Sequence, residues 1–87
     1  MHTLTLFTDE MCLSRMTAPG LIKEALGDVR GVHFEEKDLR THSKDAKKSG
    51  VKMSPTLVLD GKILCVGVPG EDELGQLIRE RLKRHET

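Results

Sequence analysis

The chain has 87 residues, 37% of them hydrophobic, with 14 basic side chains balancing 14 acidic ones. A chain this short buries only about 60% of the surface its unfolded form exposes, so one domain over residues 1–87 is expected and a second is excluded. Zero net charge gives no long-range pull toward nucleic acid or anionic membrane, and no apolar run nears the roughly 20 residues that span a bilayer, so neither partner is expected.

In chain order, Thr3 to Thr8 is rich in β-branched and apolar residues and stops at Asp9-Glu10, which predicts a buried strand. Beyond Cys12, the apolar positions Ala18, Leu21, Ile22, Ala25, Leu26 and Val29 recur at steps of three and four and share one helical face. Pro19 interrupts this pattern, so the helix is expected to kink there or to start in earnest just before it. Val32 to Leu39 alternates apolar Val32 and Phe34 with His33, Glu35 and Lys37, as in an edge strand with one wet face. Ser43 to Ser49 predicts a short polar helix with Ala46 as its buried contact and Gly50 as its stop. Two apolar runs, Thr56 to Leu59 and Lys62 to Val68, flank Asp60-Gly61, a dipeptide suited to a two-residue hairpin turn. Both runs are apolar at nearly every position, which predicts cover on both faces of the hairpin. After Pro69-Gly70, acidic Glu71 to Glu73 open a helix striped by Leu74, Leu77, Ile78 and Leu82 and closed by Arg79, Arg81, Lys83 and Arg84. The expected fold is α/β, ordered β-α-β-α-β-β-α, with a four-stranded mixed sheet flanked by helices; the first two strands are parallel and the last two antiparallel.

Two cysteines, Cys12 and Cys65, are too few for a disulfide framework, and the Cys and His residues lack metal-ligand spacing, so no metal is expected. His33, His42 and His85 lie on polar stretches as solvated surface. Met1 to Phe7 lacks the basic start and apolar core of a secretory signal, which points to reduced thiols in the cytoplasm. Cys12 lies beyond the first strand at the opening of a helix, where free backbone amides and the helix dipole favour a thiolate. Arg15, about one turn on, adds a permanent positive charge. Cys65, between Leu64 and Val66, reads as a small packed hydrophobe. Met11, Met16 and Met53 surround the same loop, either as an adaptable peptide rim or, the favoured reading, as core packing. Lys44, Lys47, Lys48 and Lys52 form a run mixed with Asp45 that reads as a solvated face.

Cys12-Leu13-Ser14-Arg15 at a helix start and Ser54-Pro55 before a strand resemble the corresponding sites of the thioredoxin superfamily, and most closely its small glutaredoxin-sized members. The resemblance covers essentially the whole chain. Leu6-Phe7-Thr8, Ser49-Gly50-Val51, Pro55-Thr56-Leu57-Val58 and Val66-Gly67-Val68-Pro69 match it in order and spacing. It implies that Cys12 is the nucleophile, that Arg15 supports it, and that Met11, Leu13, Ser54 and Pro55, with Pro55 in a cis peptide, bind substrate. The departure is Arg15 in the place of the second cysteine, a CxxR in place of CxxC, which removes the dithiol cycle from this motif. In the other register, with Cys12 as the second cysteine, Asp9 would take the nucleophile's place and the strand would crowd the helix. A lone cysteine followed by arginine also resembles arsenate reductases of the superfamily, whose larger chain and extra arginines are absent.

The implied function is monothiol thiol-disulfide exchange in cell redox homeostasis, with a protein disulfide or small thiol as partner. No cofactor is implied beyond glutathione as an external thiol, and Asp9-Glu10 stand where glutathione-using relatives carry a basic residue. The alternative is a redox-inactive binding or assembly module of the same fold. A monomer or weak dimer is expected in either case.

Overall fold

A computed structural model of the chain describes residues 2–9, 14–27, 29–67 and 69–86. Strand β1 (His2–Thr8) is followed by helix α1 (Ser14–Ala25), strand β2 (Val32–Asp38), helix α2 (Ser43–Ser49), strands β3 (Thr56–Leu59) and β4 (Lys62–Val66), and helix α3 (Glu71–Glu86). This is the element order expected from the sequence. The sheet runs β2-β1-β3-β4, with β1 parallel to β2 and antiparallel to β3, and β3 antiparallel to β4.

Alternation along the central strands separates two cores. Leu4, Leu6, Leu57 and Leu59 point to one face, where Ala18, Ile22 and Ala25 of α1 and Leu74 and Ile78 of α3 close over them. Phe7 and Val58 point to the other, against Ala46 of α2 and Val51. The result is three layers with the sheet in the middle, which satisfies a strand apolar on both sides. Pro19 lies inside α1 rather than at its start. The helix continues through it because the stripe Ala18, Ile22 and Ala25 is anchored on the sheet, which offsets the backbone bond that proline removes.

At the hairpin, Asp60 and Gly61 have φ of 51° and 82°, the paired positive values that a tight primed turn requires. Cover on both faces holds for β3, which is buried at all four positions. It fails for β4, whose Lys62 and Val66 are exposed. The reason is position: β4 is the outer strand, with neighbours on one side only. β2 occupies the opposite edge, as its charged face predicts. Gly50 ends α2 in the left-handed region at φ 78°. Its amide and that of Val51 return to Lys47 and Ala46 carbonyls, closing the short helix.

Candidate functional site

Strand directions bring three chain segments to one end of the sheet. The last pairs of β1 with β2 are Phe7 with Lys37 and Thr8 with Asp38; Phe7 also pairs with Thr56, and Thr56 with Val66. Lys37, Phe7, Thr56 and Val66 thus form one row across the sheet. Ser54 and Pro55 therefore sit beside the end of β1, from which the chain continues toward α1.

The loop is held from both sides. The buried Thr56 hydroxyl donates to the Met53 carbonyl at 2.6 Å. The Gly67 amide donates to the Pro55 carbonyl at 2.7 Å, and Gly67 adopts φ 85°, a conformation that favours glycine. The Ser54–Pro55 peptide is cis. Met53 and Val66, each 57% exposed, are the large hydrophobic residues left most open to solvent among those described. The expectation that Met53 packs into the core is overturned: the backbone tie through its carbonyl leaves its side chain outside.

Of the residues expected to form the site, Ser54 and Pro55 are found in this loop, both partly exposed. Arg15 enters the first turn of α1. Met11, Cys12 and Leu13 lie outside the described residues. Sequence reasoning did not single out Val66 and Gly67 as site residues; the available signal was an apolar run ending on a glycine, directly after the hairpin.

Cys65 is half-buried against the α1–α3 core, and its thiol leans on the Gly67 carbonyl at 3.6 Å. Burial first, and the Glu73 carboxylate second, push its pKa above the ordinary thiol value. That is the opposite of what a nucleophile needs.

Elsewhere, a cavity of about 540 Å³ opens between α2 and the sheet, lined by Thr3, Thr5, Glu35, Lys37 and Asp45 among others. Its lining excludes Ser54 and Pro55. Lys37 bridges Asp45 at 3.1 Å and Glu35 at 3.7 Å there. Among the described residues no group of His, Cys, Asp and Glu could hold a metal, and no helix is long and apolar enough to cross a membrane.

A thioredoxin domain model matches residues 11–79, most of the chain. The chain belongs to the thioredoxin domain family. It is 26% identical over 80 residues to a thioredoxin of Methanocaldococcus jannaschii, covering 91% of this chain and 94% of that one. A shorter stretch of 37 residues is 51% identical to a probable thioredoxin of Archaeoglobus fulgidus, covering 42% of this chain and 41% of that protein. Among solved structures, a mutant thioredoxin from Halobacterium salinarum superposes with a TM-score of 0.74 at 26% identity, over 91% of this chain and 73% of that one. The fold alone is shared with a malarial protein at a TM-score of 0.74 and 18% identity, over 94% of this chain and 98% of that one. Thioredoxin family membership is consistent with thiol-disulfide redox chemistry and with thiol partners.

Proposed function

We propose that this thioredoxin-family chain exchanges disulfides through the single thiol of Cys12. The observation that carries the reading is the exposed apolar pair Met53 and Val66 flanking Ser54–Pro55, at the sheet end from which β1 leads toward Cys12. Apolar side chains left in water at one place mark a surface that gains by being covered.

In the exchange, the Cys12 thiolate attacks one sulfur of a partner's disulfide. The sulfur–sulfur bond breaks, its electron pair leaves with the second sulfur, which takes up a proton, and Cys12 is left in a mixed disulfide. An external thiolate, from glutathione or another small thiol, attacks the partner's sulfur in that mixed disulfide and returns Cys12 as thiolate. The partner is then left in a mixed disulfide with the external thiol, and a second external thiolate that attacks the external thiol's sulfur there frees the partner's thiol and leaves the two external thiols joined as a disulfide. The dipole of α1 and the charge of Arg15 favour the thiolate at the outset. Met11, Leu13, Ser54 and Pro55 receive the partner, whose backbone lies along the loop as a short added strand. The reaction suits a reducing compartment such as the cytoplasm and needs no resident cofactor.

Replacement of the resolving cysteine by Arg15 supports a second reading, a binding module that keeps the surface and not the chemistry. One experiment separates the two. In a Cys65→Ser background, the alkylation rate of Cys12 is followed against pH, and exchange requires it to level off well below about 8.5. A rate still climbing past that point removes the redox reading and leaves the binding module, whose partner must then survive Cys12→Ser.

A further inference from the structure

Charge is distributed unevenly about the Ser54–Pro55 loop. Between Leu39 and Met53 the sequence carries Arg40, Lys44, Lys47, Lys48 and Lys52 against one carboxylate, Asp45, in a chain whose total is zero. All five basic residues are exposed. Asp45 pairs with Lys37 at 3.1 Å, and of the five only Lys48 also acts on its carboxylate, so the excess of positive charge remains. Among the described residues none of the five forms an ion pair. Lys44 also stands three and four residues from Lys47 and Lys48, a like-charge spacing that works against a helix of only seven residues.

Topology sets this surface beside the loop. α2 links the end of β2 to the start of β3, and Asp38 and Thr56 stand at the same end of the sheet, one pairing with Thr8 and the other with Phe7. The basic stretch runs directly into Met53, Ser54 and Pro55.

We infer that the outer surface of α2 and Lys52 bind an acidic segment of a protein partner, next to the residues of that partner that cover Met53 and Val66. This deepens the reading above and rests on it for the placing of the partner. A polypeptide fits better than a nucleic acid because the basic stretch adjoins an apolar rim and borders the Glu35 carboxylate, which shares a cavity lining with Lys48 and repels a phosphate backbone. Electrostatic complementarity of this kind selects among partners and speeds their encounter.

The test uses the whole chain and three labelled probes followed by fluorescence anisotropy: a cysteine-free peptide with an apolar centre and a run of glutamates on one side, its glutamine counterpart, and a short single-stranded DNA. The glutamate peptide is expected to bind about tenfold tighter than the glutamine one at low salt. Added salt and the combined variant Lys44→Gln, Lys47→Gln, Lys52→Gln should both abolish that advantage, and circular dichroism checks the variant's fold. Met53→Ala should weaken both peptides equally. Equal affinities, or an advantage that survives the lysine substitutions, would overturn the inference, and so would DNA binding tighter than the glutamate peptide. Because the peptides lack cysteine, an inert Cys12 leaves this result unaffected, so failure of the exchange chemistry and failure of the acidic partner are read separately.

Discussion

The Gly67 amide donates to the Pro55 carbonyl at 2.7 Å, joining the segment that leaves β4 to the one that enters β3. With the Thr56 hydroxyl on the Met53 carbonyl, it fixes both sides of the loop at the sheet end where Phe7 and Thr56 pair. Two short contacts thus convert a hairpin and a connecting segment into one surface.

Thr56→Val deletes the donor to Met53 while keeping shape, at a site that is 1% exposed. The loss expected is about 1–2 kcal/mol, read as a lower urea midpoint with an unchanged slope. Thr56→Ser, which keeps the hydroxyl, should retain the carbonyl contact and lose less. A larger loss in Thr56→Ser than in Thr56→Val would show that the methyl, not the hydrogen bond, holds the loop.

Met53→Ser with Val66→Ser removes apolar area from the exposed rim. Stability should stay within about 0.5 kcal/mol, because both side chains already face water. In a disulfide-exchange assay with an apolar-flanked peptide, the half-saturating concentration should rise about tenfold. Unchanged saturation would show that the rim is not where the peptide rests.

The Asp60 carboxylate accepts from the Thr3 amide at 2.9 Å and meets the His2 ring at 2.5 Å, tying the start of β1 to the hairpin turn. Asp60→Ala should cost about 1–2 kcal/mol and speed hydrogen exchange at Thr3. Asp60→Asn, which keeps an acceptor and tolerates the φ of 51°, should cost less.

Cys65 supplies a pH dependence. Its thiol pKa is raised in the fold, so above the ordinary thiol value the unfolded chain gives up its proton more readily than the native one. The stabilisation is complete below the ordinary thiol pKa and is lost as pH climbs through the raised one. In a Cys12→Ser background, denaturation midpoints should therefore fall at alkaline pH, and Cys65→Ala should flatten that fall. Alkylation of Cys65 in the native protein should lag behind the same thiol in urea at every pH below its raised value.

Element order, the Asp60–Gly61 turn and the helix stripes were legible because each rests on local chemistry: positive φ at the turn, and the apolar steps of Ala18, Ile22 and Ala25. The candidate site was legible only in part. Ser54 and Pro55 were marked by the resemblance to the thioredoxin superfamily, but the sequence alone favoured packing over a peptide rim for Met53 and did not single out Val66 and Gly67 as site residues. Exposure depends on which strand ends at the edge of the sheet, and no local pattern carries that.

The hairpin shows the division most clearly. By itself the sequence determined that the apolar runs Thr56 to Leu59 and Lys62 to Val68 pair across a two-residue turn, because Asp60-Gly61 accepts the necessary dihedral angles; the strand that forms from the second run ends at Val66. Counting back from that turn would set Cys65 opposite Thr56. In the structure the register slips between Leu57 and Val58, so that Cys65 pairs with Leu57 and Val66 with Thr56. An extra residue in one strand re-aims the side chains that follow it. That slip packs the thiol of Cys65 against the α1–α3 core and leaves Val66 exposed beside the Ser54–Pro55 loop. Only packing of the edge strand against the core could decide it, since the apolar run Ile63 to Val66 is compatible with either pairing.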